Sequence, residues 1–259
     1  MMTMASSEIM SLVGTFMWPL FRIAALVASA PVFGARTVPV TVKIIFAVVF
    51  TMIIAPVSPP VPVVDPLSGE AVLIVLNQLL IGAAMGLSLQ MVFAMFIVGG
   101  QIIAFQMGLG FASMVDPSSG TQVPVVSQFY VIMLTLVFLA LDGHLTFISV
   151  VADSFHTLPI GINGLSRDGL WALVIWGGNM YVGAVQIALP AIASLLLINL
   201  TFGVVTRAAP QFNIFSIGFP ITLVAGFFIM LATLKAILPQ INLQLANAFE
   251  LMRGIVGGS

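Results

Sequence analysis

The sequence contains few charged residues, no cysteine and only two histidines. Charged residues make up 6% of its 259 residues, against about 25% in an ordinary soluble domain, so its surface is not built to face water. Without cysteine there is no disulfide, thiolate metal ligand or thiol nucleophile. Two histidines leave little for a metal centre. We therefore expect neither a metal nor a cofactor.

Neither positive nor negative charge is in large excess. Seven basic and eight acidic residues give a formal net charge of −1, so there is no basic field for nucleic acid and no polybasic tract for anionic lipid. We find no Walker loop, HExxH helix or GxSxG elbow. These absences exclude a nucleic-acid-binding protein and give no support to an enzyme.

Long apolar runs dominate what is present. Hydrophobic residues make up 61% of the chain, and its mean hydropathy is +1.23. Stretches free of charge cover residues 44–64, 71–115, 117–141, 169–206 and 208–234. Such runs predict an all-α, multi-pass integral membrane protein. Because no basic residue precedes the first apolar stretch, we expect no cleavable signal and a mature chain that begins near Met1.

About six apolar elements are predicted, with proline and glycine at their boundaries. They cover residues 9–33, 41–55, 71–105, 129–141 (extended to 151 if the helix continues), 170–202 and 214–238, followed by an amphipathic tail helix over 241–252. Pro190 predicts a kinked helix or a hairpin in the fifth element, and Pro239 predicts the end of the sixth. We expect residues 152–168 to form a polar connection.

The third element is too long for one straight crossing. As one helix it would extend about 50 Å, against about 30 Å of hydrocarbon. Its Gly82 and Gly86 form a GxxxG spacing, which favours close packing between helices. In the first element, an arginine at mid-bilayer costs roughly 2.5–3.5 kcal/mol. Arg22 is therefore expected to face protein or water, or to snorkel from a helix end.

The segment 106–128 is a glycine-rich loop between apolar helices. Met107, Phe111 and Met114 are bulky, deformable groups on a backbone made flexible by Gly108 and Gly110. Two interpretations fit this composition. One is a gasket that blocks ions and water by dewetting, and the other is a re-entrant loop packed between helices. Further loop-shaping residues are Asp116, Pro117, Gly120 and Pro124; Asp116 is interpreted as a turn residue or an ion ligand.

One carboxylate and one imidazole lie close together in the sequence. Asp142 and His144 are typical of a proton relay in a membrane protein. They also fit a turn at a helix end, since Gly143 separates them. The sequence leaves both interpretations open.

Two signatures resemble the FliR family of flagellar type III export proteins and its injectisome counterpart, SctT. The first comprises Gly100-Gln101, Gln106 to Gly110, Asp116-Pro117, Gln122 to Val125 and Ser127 to Phe129. The second runs from Asn199 to Pro220 and contains Arg207, Ala209-Pro210-Gln211, Asn213 and Gly218-Phe219-Pro220. The chain departs from the family pattern at Asp142 to Leu145, where a Gly-His-His run is expected, and at Gln78, which is often acidic.

The resemblance implies a non-enzymatic subunit of an export gate in the bacterial inner membrane and the flagellar basal body. Its partners would be FliP-like and FliQ-like subunits, an FlhB-like subunit, membrane lipid and unfolded protein substrates. It implies one membrane domain, with residues 1–168 FliP-like and residues 169–259 a FliQ-like hairpin with a tail. Met107, Gly108, Gly110, Phe111 and Met114 would plug the channel. Residues expected at subunit contacts are Gly82, Gly86, Arg207, Pro210, Gln211, Asn213, Gly218 and Pro220.

Two other functions are weighed against this one. An injectisome subunit would share the fold and differ in its secreted substrates. A small-solute secondary transporter would use helices broken at Pro190 and Pro220 to line a midplane site. The scarcity of buried ionisable groups speaks against ion-coupled transport.

Overall fold

The structure is a computed structural model that describes residues 2–35, 37–66, 68–109, 124–208 and 214–257. Side chains are described from residue 14 onward in the first helix and from residue 218 onward in the last. In chain order the helices are α1 (Met2–Ser29), α2 (Val40–Ile54), α3 (Gly69–Gln106), α4 (Val125–Ala140), α5 (Gly143–Thr157), α6 (Arg167–Ala208) and α7 (Ile214–Gly257). Every regular element in the described ranges is thus an α-helix, and the predicted all-α class is confirmed.

Several helices are long enough to cross a bilayer. Among the described residues, α3, α6 and the Gly218–Gly257 part of α7 meet that criterion by length and composition, and the bent pair α4 and α5 adds a fourth if it counts as one span. The 42 residues of α6 and the 44 of α7 extend about 63 and 66 Å, about twice the thickness of the hydrocarbon core. The predicted long apolar helices are confirmed.

Two boundaries predicted from proline and polarity are wrong, and one of two alternatives at Pro190 is excluded. The helix α6 runs unbroken through Pro190, so the element is not a hairpin, and the kinked helix stays a prediction. The helix α7 continues through Pro220 and Pro239, so the predicted last element and the tail are one helix. The helix α5 extends to Thr157, into the segment predicted as a polar connection. Proline removes one backbone hydrogen bond, but an apolar helix away from water keeps the others, because its peptide groups have no alternative partner.

The chain divides into two compact units. Unit 1 comprises Met1–Met91, Leu139–Gly177 and Leu245–Ser259, and unit 2 comprises Val92–Phe138 and Gly178–Gln244. The boundary expected after residue 168 falls in the first turn of α6. This boundary was predicted from the resemblance to FliP-like and FliQ-like chains, and it stays a prediction.

Unit 1 is built around α1 and the first part of α3. Buried Trp18 packs against Ala71 and Ile74 at the start of α3. The proline-rich linker and the connection between α5 and α6 cover this cluster with Val61, Val64 and Ile160. Apolar burial therefore holds the connections of unit 1 as well as its helices.

Unit 2 joins the second part of α3 to α4, to the carboxyl-terminal part of α6 and to the amino-terminal part of α7. Phe93 and Phe138 pack edge to face, with ring centroids 6.1 Å apart. The side chain of buried Tyr130 on α4 lies next to Thr233 on α7. These contacts tie α4 to both neighbours and position the two ends of the predicted plug loop.

Candidate functional site

The predicted plug begins at the carboxyl end of α3, in unit 2. Met107 and Gly108 are described by the structure. Outside the described residues lie the other residues predicted to plug the channel or shape the loop, Gly110, Phe111, Met114, Asp116, Pro117 and Gly120.

The helix α3 ends in a Schellman motif. The Leu109 N–H donates to Ala104 O at 3.0 Å, and the Gly108 N–H donates to Phe105 O at 3.0 Å. Gly108 has φ +83°, a left-handed conformation that glycine adopts without steric cost. This glycine therefore fixes where the helix stops and in which direction the chain leaves it.

Met107 is fully buried, with 0% of its surface exposed. It packs on α7, where a Cβ added to Gly226 would lie 2.8 Å from the Met107 sulfur. A buried side chain does not line an open channel, so in this structure Met107 anchors the start of the loop. The prediction that it takes part in a plug stays a prediction.

The far end of the loop is anchored on α3. Pro124 is half-buried just before α4, and Ser127 in the first turn of α4 is buried. The Ser127 hydroxyl donates to Ile97 O at 2.9 Å. An added Cβ on Gly100 would lie 2.6 Å from Ser127 Cα, so only glycine allows this approach. Gly99, the preceding residue, faces Ala184 O of α6 in the same way at 3.1 Å.

The two glycines of the GxxxG spacing contact α1 of the same chain, within unit 1. An added Cβ on Gly82 would overlap the carbonyl oxygen of Arg22, and one on Gly86 would overlap the Ser29 hydroxyl. The close helix approach predicted from the spacing is therefore present, and α1 is the helix that occupies this face.

The second signature surrounds the junction of α6 and α7. Arg207 is exposed in the last turn of α6, where its charge complements the helix dipole. Gly218 is buried and Pro220 is exposed on α7. Pro210, Gln211 and Asn213 lie outside the described residues. The subunit contacts expected of these residues stay predictions.

Asp142 forms the corner between α4 and α5. It is exposed, has φ 53°, and its carbonyl oxygen accepts hydrogen bonds from the N–H groups of Leu145 and Thr146. The Nδ1 atom of His144 is buried without a hydrogen-bond partner, so Asp142 does not orient the imidazole through that atom. The geometry agrees with a turn at a helix end, and a proton relay stays a prediction.

Arg22 lies at the centre of a buried polar network in unit 1, so it faces protein and does not snorkel. Its Nε donates to Gln78 Oε1 at 2.7 Å. One terminal nitrogen donates to Ser154 O at 2.9 Å, and the other donates to Leu158 O at 2.9 Å. The guanidinium also lies 4.3 Å from the ring centroid of Phe155. A single cation thereby joins α1, α3 and the carboxyl end of α5.

The sequence analysis did not single out Gly226 or the Arg22 partners on α5, and it named Phe219 only as part of the second signature. Gly226 is one glycine within a long apolar helix, and its partner Met107 is more than a hundred positions away in the chain. A lone glycine in a helix pattern signals a close packing contact but does not identify the neighbour. Among the described residues, no group of three His, Cys, Asp or Glu side chains has a metal-binding arrangement.

Comparison with known proteins assigns the chain to a family. The family described as bacterial export proteins, family 1, matches residues 13–248. Flagellar biosynthetic protein FliR of Pectobacterium carotovorum is 40% identical over 99% of this chain and 98% of its own length. FliR of Escherichia coli (strain K12) is 39% identical over the same shares, and FliR of Aquifex aeolicus is 31% identical over 91% of this chain and 90% of its own. Since these matches run nearly end to end, the chain belongs to the FliR family of bacterial export proteins.

Proposed function

We propose that this chain is a subunit of the flagellar type III export gate. In this proposal it helps to form the inner-membrane channel through which unfolded axial proteins leave the cell, and it performs no covalent chemistry. The observation that carries the proposal is the similarity, over nearly the whole chain, to proteins named for flagellar biosynthesis.

The long apolar helices support an assembly with other subunits. The part of α6 in unit 2 exposes Leu196, Leu197, Leu200 and Val204, together with the amide of Asn199. A helix about twice as long as the hydrocarbon core cannot cover all of such a surface with lipid. Amide side chains among apolar ones are typical of helix contacts within membrane assemblies. FliP-like and FliQ-like subunits, with an FlhB-like subunit beside them, are the proposed partners.

The glycine-rich loop is the proposed seal of the closed channel. Phe111 and Met114 would supply the apolar constriction, while the buried Met107 and the left-handed Gly108 support its base. A narrow apolar ring excludes ions by dewetting, and it yields when a larger chain is pushed through. The anchored ends of the loop support this proposal, because a seal needs fixed attachment points.

Membrane conductance tests the seal. The double variant Phe111→Gly and Met114→Gly should make cells with the closed assembly leak small ions, because it removes both bulky side chains. The matched control, Phe111→Leu and Met114→Leu, keeps apolar bulk and should stay tight. Unchanged conductance in the glycine variant, at normal protein levels, would contradict the seal.

Deletion of the gene tests the pathway. Loss of swimming that is restored by the plasmid-borne gene supports flagellar export. Loss of effector secretion with normal swimming would instead assign the chain to an injectisome. Saturable uptake of a small solute by the purified chain alone would overturn both export functions.

A further inference from the structure

Two consecutive residues at the carboxyl end of α3 pack on one face of α7. Met107 lies over the backbone of Gly226, where an added Cβ would lie 2.5 Å from the Met107 Cγ and 2.8 Å from both Sδ and Cε. Any side chain at position 226 would therefore displace the methionine. The fit depends on one long flexible side chain and one missing side chain.

Gly108 makes the second contact with the same helix. An added Cβ on Gly108 would lie 3.0 and 3.1 Å from two ring carbons of Phe219. Phe219 and Gly226 are seven residues apart, which places them on one face of α7, two turns from each other. The end of α3 is therefore held at two points along α7.

Side-chain packing supplies this attachment. The backbone N–H groups of Met107, Gly108 and Leu109 donate to Ile103, Phe105 and Ala104, all within α3. Their backbone N–H donors are thus used in ending the helix. Shape complementarity at Gly226 and Phe219 determines where that end lies relative to α7.

We propose that Gly226 and Phe219 are positioning residues of the closed gate. They hold the last turn of α3 on α7 through Met107 and Gly108, so the position of α7 determines the base of the proposed seal. This inference rests on the proposed function of the loop. It assigns to α7 the role of holding this anchor in place.

The inference is tested by enlarging residue 226 and shortening residue 107, with the ion leak measured for the assembled gate in native membranes. Gly226→Ala should raise the ion leak several-fold, because its methyl group displaces Met107. Adding Met107→Ala to that variant removes the overlapping atoms, so the double variant should leak less than the combined effects of the two single variants. The matched control is Gly178→Ala on α6, whose added Cβ meets nothing within 4 Å; it should leave the leak unchanged.

A second variant covers the case in which Gly226→Ala does not assemble. Phe219 is 42% exposed, so Phe219→Ala disturbs folding less, yet it removes the ring that holds Gly108. It should raise the leak in the same direction. Normal tightness in every anchor variant that assembles would overturn the inference.

The glycine variant of Phe111 and Met114 separates the two claims. If it leaks while the anchor variants do not, the positioning role fails and the seal stands. If it does not leak, the proposed seal fails and the positioning role fails with it. Non-additive effects of Gly226→Ala and Met107→Ala on the thermal stability of the gate then still measure their contact.

Discussion

At the residue scale, Arg22 is the buried charge on which unit 1 depends. It is 0% exposed, and the hydrogen-bond acceptors around it are the Gln78 amide, the Ser154 hydroxyl and the backbone carbonyls of Ser154 and Leu158. Carbonyl groups at the carboxyl end of a helix carry partial negative charge, so they stabilise the guanidinium without a carboxylate. The sequence predicted that Arg22 avoids lipid, but it did not identify these distant partners.

Replacing Arg22 tests this network. Arg22→Leu leaves several buried acceptors unpaired, and each costs about 1–3 kcal/mol, so the free energy of unfolding should fall by at least about 3 kcal/mol. Arg22→Lys keeps the positive charge but lacks the planar guanidinium group, so the fall in the free energy of unfolding should be smaller. Thermal unfolding of the purified protein in detergent measures both. Equal stability of Arg22→Leu and the wild type would contradict a structural role.

A substitution of Gln78 is expected to raise the free energy of unfolding. Its Oε1 accepts from Arg22, but its buried Nε2 has no hydrogen-bond partner. Gln78→Glu removes this unsatisfied donor and places a carboxylate beside a guanidinium whose desolvation is already present in the wild type. We expect the free energy of unfolding to rise by about 1–2 kcal/mol. The control Gln78→Leu, which cannot accept from Arg22, should lower it in the same unfolding assay.

At the element scale, glycines determine which helices touch. The packing of α1 on α3 depends on Gly82 and Gly86, and that of α4 on α3 depends on Gly100. Each contact brings a backbone so close that a methyl group has no room. Gly178 is the contrasting case, since an added Cβ there meets nothing within 4 Å.

Alanine at Gly82 and alanine at Gly178 should therefore have different effects on the free energy of unfolding. Gly82→Ala forces α1 away from α3 and should lower the free energy of unfolding by about 1–3 kcal/mol, the usual cost of overpacking. Gly178→Ala should be neutral or raise it by up to about 1 kcal/mol, because alanine is the better helix former. Thermal melts of the two variants, measured side by side, check this contrast. Equal melting temperatures would argue against the tight contact with α1.

The sequence predicts which segments form helices, but it does not predict which helices pack against each other. The expected span 71–105 lies within one residue or two of α3, because Glu70 marks its start and the glycines from Gly108 onward mark its end. The predicted end at Pro239 is wrong because packing of residues such as Ile241 and Leu245 continues the helix. The pairing of Met107 with Gly226 joins residues far apart in the chain, and no local pattern encodes it.

The same distinction applies to the candidate site. The glycine-rich loop is predicted from composition alone, and Gly108 at its start has a left-handed φ. Met107 was expected among the plug residues, yet it is buried against α7. Composition predicts an apolar loop, but it does not show that Met107 packs on α7.

At the scale of the whole molecule, the exposed apolar surface indicates contacts with other molecules. Large side chains such as Leu197, Leu200 and Phe228 are 66%, 67% and 68% exposed, on helices about twice the length of a membrane span. Exposed apolar faces of this extent mark contacts with other proteins or with lipid. The chain is therefore expected to be one component of a larger membrane assembly.

Native mass spectrometry of the tagged protein, extracted gently from its own membranes, shows whether the chain belongs to such an assembly. We expect one copy of this chain together with several copies of two small helical membrane proteins, FliP-like and FliQ-like, of the flagellar system. A monomer or homodimer that is stable without these partners would show that the chain is not an export-gate subunit.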